Sequence, residues 1–346
     1  MSEEKKQQRW KIIINTITLL ALVLLIYLVR KDVIETVAKI DDISWWILLL
    51  MIPVQALNFQ TYALMYDDLL RFLGHKISIS KLYRITLELN FVNHVFPSGG
   101  VSGFSYFSLR LRTLGVRTGT STLIQLMRFV LVFLSFQVVL AIGVLALAFS
   151  GAVNNFVLLI AGSIATLLIT GTMLLAYIIG SKQRINMFFT GITKLVNKVV
   201  SFVRPKNPET INIHRAQKAF GELHENYLLI KKDFSVLKKP LFHALFSNIT
   251  EIVTLYLVFV AFGFWVNPGA VILAYAVANF AGLVSILPGG VGIYEALMTA
   301  VLASAGVPAG ISFPVVIMYR VSTMAMQLPP GYILYHKAVQ DNDIKL

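Results

Sequence analysis

Long apolar runs separated by short polar or basic segments fill most of the chain. Six of them are Ile12–Val29, Ser44–Tyr66, Gly119–Phe149, Asn155–Gly180, Leu241–Trp265 and Gly310–Tyr335. As helices rising about 1.5 Å per residue, each is long enough to cross a hydrocarbon layer of roughly 30 Å. Two further segments, Leu82–Leu114 and Pro268–Gly306, have another pattern: an apolar arm, a Pro/Gly-rich break, then a second arm. The breaks read "FPSGGVSGF" (Phe96–Phe104) and "LPGGVGIYE" (Leu287–Glu295). Arms such as Val291–Ala305, of roughly 15 residues, are short for a crossing. The pattern predicts two re-entrant hairpins with their tips inside the membrane.

The two segments are copies. A shift of 191 positions carries Pro97 onto Pro288, Gly99 onto Gly290, Gly115–Val116 onto Gly306–Val307, Gly119 onto Gly310, Ser121 onto Ser312 and Met127 onto Met318. Arg128 meets Arg320 one residue off register. Three full crossings separate the hairpins, so they enter from opposite sides, the arrangement of inverted-repeat transporters. The expected fold is an all-α, polytopic membrane protein: six full-length spans plus two oppositely oriented re-entrant helical hairpins in an inverted repeat. Residues 1–346 form a single integral membrane domain. Residues 82–149 are the first hairpin plus helix, 268–335 the second, and 181–240 a cytoplasmic amphipathic helical insert.

Composition agrees, with 57% hydrophobic and 14% charged residues and a mean hydropathy of +0.74. Basic residues precede the first run, but its length and the lack of a small-residue cleavage site predict a retained helix. The formal net charge of +13 sorts by side. Lys5, Lys6, Arg9, Lys11, Arg71, Lys76, Lys81, Arg110, Arg112 and Arg117 fall with the insert and the tail from His336 on one face. Of the opposite loops, "RKDVIETVAKIDD" is charged, whereas "SGAVNN", "WVNPGA" and "SAGVPAG" carry no charge. This positive-inside pattern puts both termini in the cytoplasm of a cell membrane, plasma or inner, and leaves nucleic-acid binding without support. With no cysteine, disulfides and thiolate metal sites are excluded.

Ionisable groups at membrane depth are costly and tend to line cavities. Arg84 and Glu88 stand four apart on the first arm and are spaced to pair. Arg128 and Arg320 follow the two hairpins, Glu251 precedes the second, and Glu295 lies in its returning arm. Asn90, Asn93, His94 and Asn279 precede the breaks. Pro97, Ser98, Gly99, Gly100, Pro288, Gly289 and Gly290 shape the breaks, where glycine lets backbone approach a ligand and helix N-termini offer N–H groups to an anion. One reading is a wet cleft whose arginines hold an anionic head group; the other is a set of buried salt bridges fixing helix register. His94 reads as a helix hydrogen-bond donor. Trp45, Trp46 and Trp265 read as interfacial anchors.

In the insert, Ile185, Phe188, Ile192, Leu195, Val199 and Phe202 have amphipathic helical spacing. Ile213, Ala216, Phe220, Leu223, Tyr227 and Ile230 form a heptad seam. A helical hairpin on the cytoplasmic face is expected, touching anionic lipid through its lysines or docking a partner.

P-loop, GxSxG, HExxH and Rossmann motifs are absent, so no nucleotide, metal or other cofactor is expected. "FPSGGVSGF", "LPGGVGIYEA" and the basic insert together resemble the lysylphosphatidylglycerol synthase transmembrane-region family of flippase-like proteins. The resemblance implies lipid translocation. It does not imply aminoacyl transfer, because the soluble synthase domain of the best-known members is not expected here. It touches Pro97, Ser98, Gly99, Gly100, Pro288, Gly289, Gly290 and Glu295 directly. The sequence therefore points to an ATP-independent carrier, not an enzyme, for a membrane phospholipid or a polyprenyl- or glycolipid. The alternative is a scaffold or accessory subunit for an enzyme that modifies lipid or polyprenyl phosphate. An integral-membrane transferase and a small-solute carrier are further alternatives, and homo-oligomers fit either architecture.

Overall fold

The computed structural model describes residues 43–95, 101–151, 154–188, 190–191, 213–284 and 292–340. The predicted span Ile12–Val29, both Pro/Gly breaks (Pro97, Ser98, Gly99, Gly100, Pro288, Gly289 and Gly290) and residues 192–212 lie outside them. Among the described residues all regular structure is helical. The helices are α1 (Trp45–Leu49), α2 (Met51–Phe72), α3 (Ile79–Val95), α4 (Val101–Thr113), α5 (Thr118–Phe149), α6 (Asn155–Ile179), α7 (Ile213–Lys232), α8 (Lys238–Ala261), α9 (Pro268–Val284), α10 (Ile293–Ser304) and α11 (Ala309–Gln340).

Five of the predicted spans are present as long apolar helices: Trp45–Phe72, Thr118–Phe149, Asn155–Ile179, Phe234–Ala261 and Ala309–Ala338. Helix suits this environment because lipid offers no partner to a free backbone N–H or C=O. The fourth span begins and ends earlier than the predicted Leu241–Trp265, since Gly263 stops it. Gly263 adopts φ +78°, and Phe264 N–H returns to the Phe259 carbonyl at 2.9 Å, a left-handed cap that a side chain would strain. The same cap follows α2, α4 and α10, where His75 bonds Leu70 (2.8 Å), Val116 bonds Leu111 (3.0 Å) and Val307 bonds Leu302 (3.0 Å).

These caps divide the chain into matching halves. Each half has a long helix, a cap, two shorter helices, a cap, and a 32-residue helix. The 191-position shift carries α5 onto α11 from first residue to last. The shorter helices α3, α4, α9 and α10 have 17, 13, 17 and 12 residues, fewer than the ~20 of a full crossing.

The halves interlock. Helix α2 packs along α8, while α3 packs on α11 of the other half and α9 packs on α5. Small residues allow both crossings. A Cβ on Gly331 would sit 2.7 Å from Phe91 Cβ and 2.8 Å from the Leu87 carbonyl oxygen, and one on Gly143 would meet Ile272 at 2.8 Å. Two apolar cores flank the crossing. One gathers Tyr66, Leu82, Phe107 and Ile124 from the first half; the other gathers Leu168, Phe259, Val271 and Met298.

In the heptad seam of the insert, Leu223 and Ile230 are buried and Tyr227 is half-buried. Leu223 and Ile230 join the first-half core, and α7 packs on α5. Asn226 donates to Thr120 Oγ1 at 2.9 Å, and a His224 ring nitrogen lies 3.3 Å from the Ile179 carbonyl oxygen. The helix is thus tied to α5 and to the end of α6.

Candidate functional site

A polar cavity of about 210 Å³ lies where the halves meet, far above the ~15 Å³ that one water needs. Its walls come from α2, α3, α5, α8, α9, α10 and α11. Six predicted site residues line it, Asn90, Asn93, Arg128, Glu251, Asn279 and Arg320, and His94 lies among them. The spacing of those residues placed them on separate helices, and the interlocked packing brings them together.

Their partners distinguish them. The Arg320 guanidinium pairs with Glu295, Nε to Oε1 at 2.9 Å, and stacks over the Tyr294 ring at 4.5 Å. The other Glu295 oxygen accepts the Gly292 N–H at 2.6 Å, capping α10. Arg128 has no carboxylate within ion-pair distance among the described residues, and its buried Nε has no hydrogen-bond partner. Its guanidinium lies over two rings, Phe129 at 4.7 Å and Tyr62 at 5.7 Å. Asn93 Oδ1 is likewise buried without a partner. Glu251 accepts from Tyr319 Oη at 3.2 Å and has no ion-paired cation among the described residues.

Other polar groups close the cavity floor. Gln327 donates to Gln55 Oε1 (2.8 Å) and accepts from Asn90 (2.9 Å), while Gln55 donates to Thr254 (3.0 Å). Asn58 donates to the Ser247 carbonyl and to Thr250. His94 Nδ1 lies 2.9 Å from the Asn90 carbonyl oxygen, in the helix-bonding role expected of it. Asn279 donates to the Tyr275 carbonyl at 2.8 Å.

Two expectations need correction. Arg84 does not pair with Glu88: it is exposed, and Glu88 is held from the opposite arm. Arg110 reaches it with Nε at 2.8 Å and Nη2 at 3.1 Å, and Tyr106 Oη donates to it at 2.7 Å. Glu88 is thus fully used by α4, and neither it nor Glu295 lines the cavity. His243 stands 3.3 Å from Asp68 across the α2–α8 contact.

Sequence reasoning missed Gln55, Asn58, Tyr62, Tyr275, Tyr294, Tyr319, Thr323 and Gln327. A signal existed: Gln55, Asn58 and Tyr62, and again Arg320, Thr323 and Gln327, recur at three- and four-residue spacing within apolar runs. Such a polar stripe on a membrane helix marks the face turned from lipid.

Long apolar helices enclosing a polar cavity define a multi-pass membrane protein. The chain belongs to the family described as "Lysylphosphatidylglycerol synthase TM region", whose model matches residues 12–331. It is also similar to a "UPF0104 membrane protein" of Methanothermobacter thermautotrophicus, with 36% identity over 90 residues. That match covers 26% of this chain and 27% of the relative. Family membership points to a lipid-related function in the membrane.

Proposed function

We propose that the protein is a carrier, not an enzyme, that moves an amphiphile with a charged head group between leaflets without ATP. In this reading α3–α4 and α9–α10 are re-entrant hairpins of an inverted repeat entering from opposite sides. Both termini lie in the cytoplasm, and the central cavity is reached alternately from each face. The observation that carries the reading is Arg128, a cation lining a cavity at the junction of the halves, with no carboxylate within ion-pair distance among the described residues. A charge at such depth is normally paired. An anionic head group supplies the missing counter-charge, and the polar cavity wall replaces its lost water.

The test is reconstitution in phosphatidylcholine vesicles containing a fluorescent phosphatidylglycerol or a fluorescent polyprenyl phosphate, with leaflet exchange followed by quencher access. Wild-type protein is expected to exchange at least one probe, and Arg128→Gln to stop it without loss of thermal stability. Equal rates in wild type, mutant and empty vesicles would overturn the proposal.

A further inference from the structure

Glu88 and Glu295 are each neutralised by an arginine, Arg110 at 2.8 Å and Arg320 at 2.9 Å. Glu251 on α8 has no such cation among the described residues. It accepts from Tyr319 Oη at 3.2 Å, and the uncharged Gln55 amide is a second hydrogen-bonding neighbour. The side chain is half-buried and opens onto the polar cavity. Its flanks are committed: Thr250 accepts from Asn58 and Thr254 from Gln55, which clamps α8 to α2 on either side of the carboxylate. The titratable and charged groups around it come from the rest of the wall. Tyr62 lies on α2, His94 on α3 and Arg128 on α5. Tyr275 lies on α9, Tyr294 on α10, and Tyr319 with Arg320 on α11. Helix α1 and the turn Phe234–Leu237, which also touch α8, bring none. On α8 itself Tyr256 and His243 serve other partners, the Val266 carbonyl and Asp68. Lys238 and Lys239 stand about 18 Å or more down its axis.

We infer that Glu251 binds an exchangeable proton, and that this proton is taken up together with the anion that Arg128 attracts, so that crossing is coupled to proton movement. Charge balance carries the argument. Arg320 is matched by Glu295, and tyrosine is neutral at physiological pH. With Glu251 ionised, Arg128 and Glu251 sum to zero and the cavity offers an anion no net attraction. With Glu251 protonated, the Arg128 charge stands alone. A carboxylate without a cation at membrane depth is costly, and a proton removes that cost. One O–H bond forms on a Glu251 carboxylate oxygen as a hydronium ion gives up its proton, and release reverses the step. Each partner improves the site for the other, because linkage is reciprocal. A proton gradient then drives a carrier that uses no ATP. The inference rests on the carrier reading for the anion; the proton site itself does not need it.

The experiment has two arms on the full chain. In phosphatidylcholine vesicles, leaflet exchange of fluorescent phosphatidylglycerol, whose diester keeps one charge throughout, is measured at about pH 5 and about pH 9, a span in which buried carboxylates titrate. Wild-type exchange should be about tenfold faster at the acid end, within the usual range for two coupled sites. Glu251→Gln imitates the protonated acid and should exchange at the acid rate at both values. In ester-free detergent, infrared difference spectra between the same two values read the proton directly. Surface carboxylates are already ionised there. Wild type should lose a protonated-carboxyl C=O band on going to high pH, and Glu251→Gln should show no such loss. A wild-type spectrum without that loss would overturn the inference whatever the variant does. So would a pH step in exchange that survives Glu251→Gln and vanishes in His94→Gln. If the band is lost but no lipid exchanges at either pH, the proton site is upheld and the carrier fails. If wild-type exchange is present and flat with pH, the coupling fails and the carrier stands.

Discussion

Arg128 and Arg320 occupy matching places in the two 32-residue helices, yet Arg320 is ion-paired to Glu295 at 2.9 Å, whereas Arg128 lies over the Phe129 and Tyr62 rings with no carboxylate within ion-pair distance among the described residues. The two halves therefore share a fold but not a charge state. Removing Arg320 strands a buried carboxylate, a loss of about 3–5 kcal/mol. Arg320→Gln is expected to lower the melting temperature of the purified protein clearly. Arg128→Gln should leave it unchanged or raise it while abolishing exchange. The two variants thus separate stability from transport in one pair of assays.

Glu88 and Arg110 supply a second test. Both are poorly exposed and form a two-bond fork reinforced by Tyr106. Arg110→Met leaves Glu88 buried and alone, at a cost of about 3–5 kcal/mol. The double variant Glu88→Leu, Arg110→Met should recover most of that loss, whereas Arg84→Met should change nothing. Melting curves of the four proteins decide the matter.

The α3–α11 crossing depends on Gly331. An alanine Cβ there would lie 2.8 Å from the Leu87 carbonyl oxygen, a backbone atom with little freedom to move. Gly331→Ala is expected to destabilise by about 1–3 kcal/mol, in the range of an overpacked core. An unchanged melting temperature would mean that the helices are not in this contact.

Asp233 makes stability near the insert pH-dependent. It caps the turn Phe234–Leu237, accepting from the Ser235 N–H at 2.9 Å. The hydrogen bonds with Ser235, side chain first, hold its carboxyl below the usual carboxylate range. A lowered folded pKa means that the cap is fully present above the unfolded pKa and is lost as pH falls through the folded one. Amide exchange at Ser235, corrected for intrinsic rate, should quicken below about pH 4 in wild type. It should lose that pH step in Asp233→Asn.

Much of the architecture could be read from the chain because two stretches carry the same pattern and each checks the other. The Gly115 and Gly306 caps and the equal extents of α5 and α11 follow from one numerical shift. The candidate site was only half legible. Charges announce themselves in an apolar run, so Arg128, Glu251 and Arg320 stood out. Tyrosines did not, since Tyr62, Tyr275, Tyr294 and Tyr319 have the composition of interfacial anchors and reveal their depth only once packed. The Glu88 partner was misjudged for a related reason. Four-residue spacing reports neighbours on one helix, whereas Arg110 reaches Glu88 from the returning arm, 22 positions away.

The crossed seating of α3 on α11 and α9 on α5 bears on engineering. A chain severed between α6 and α7 yields two fragments, each carrying a first arm whose natural berth belongs to its sibling. Neither fragment would be stable alone, whereas the pair should reassemble when co-expressed, like subunits of an obligate dimer. A single half expressed by itself would have to work as such a pair, its arms exchanged between two copies.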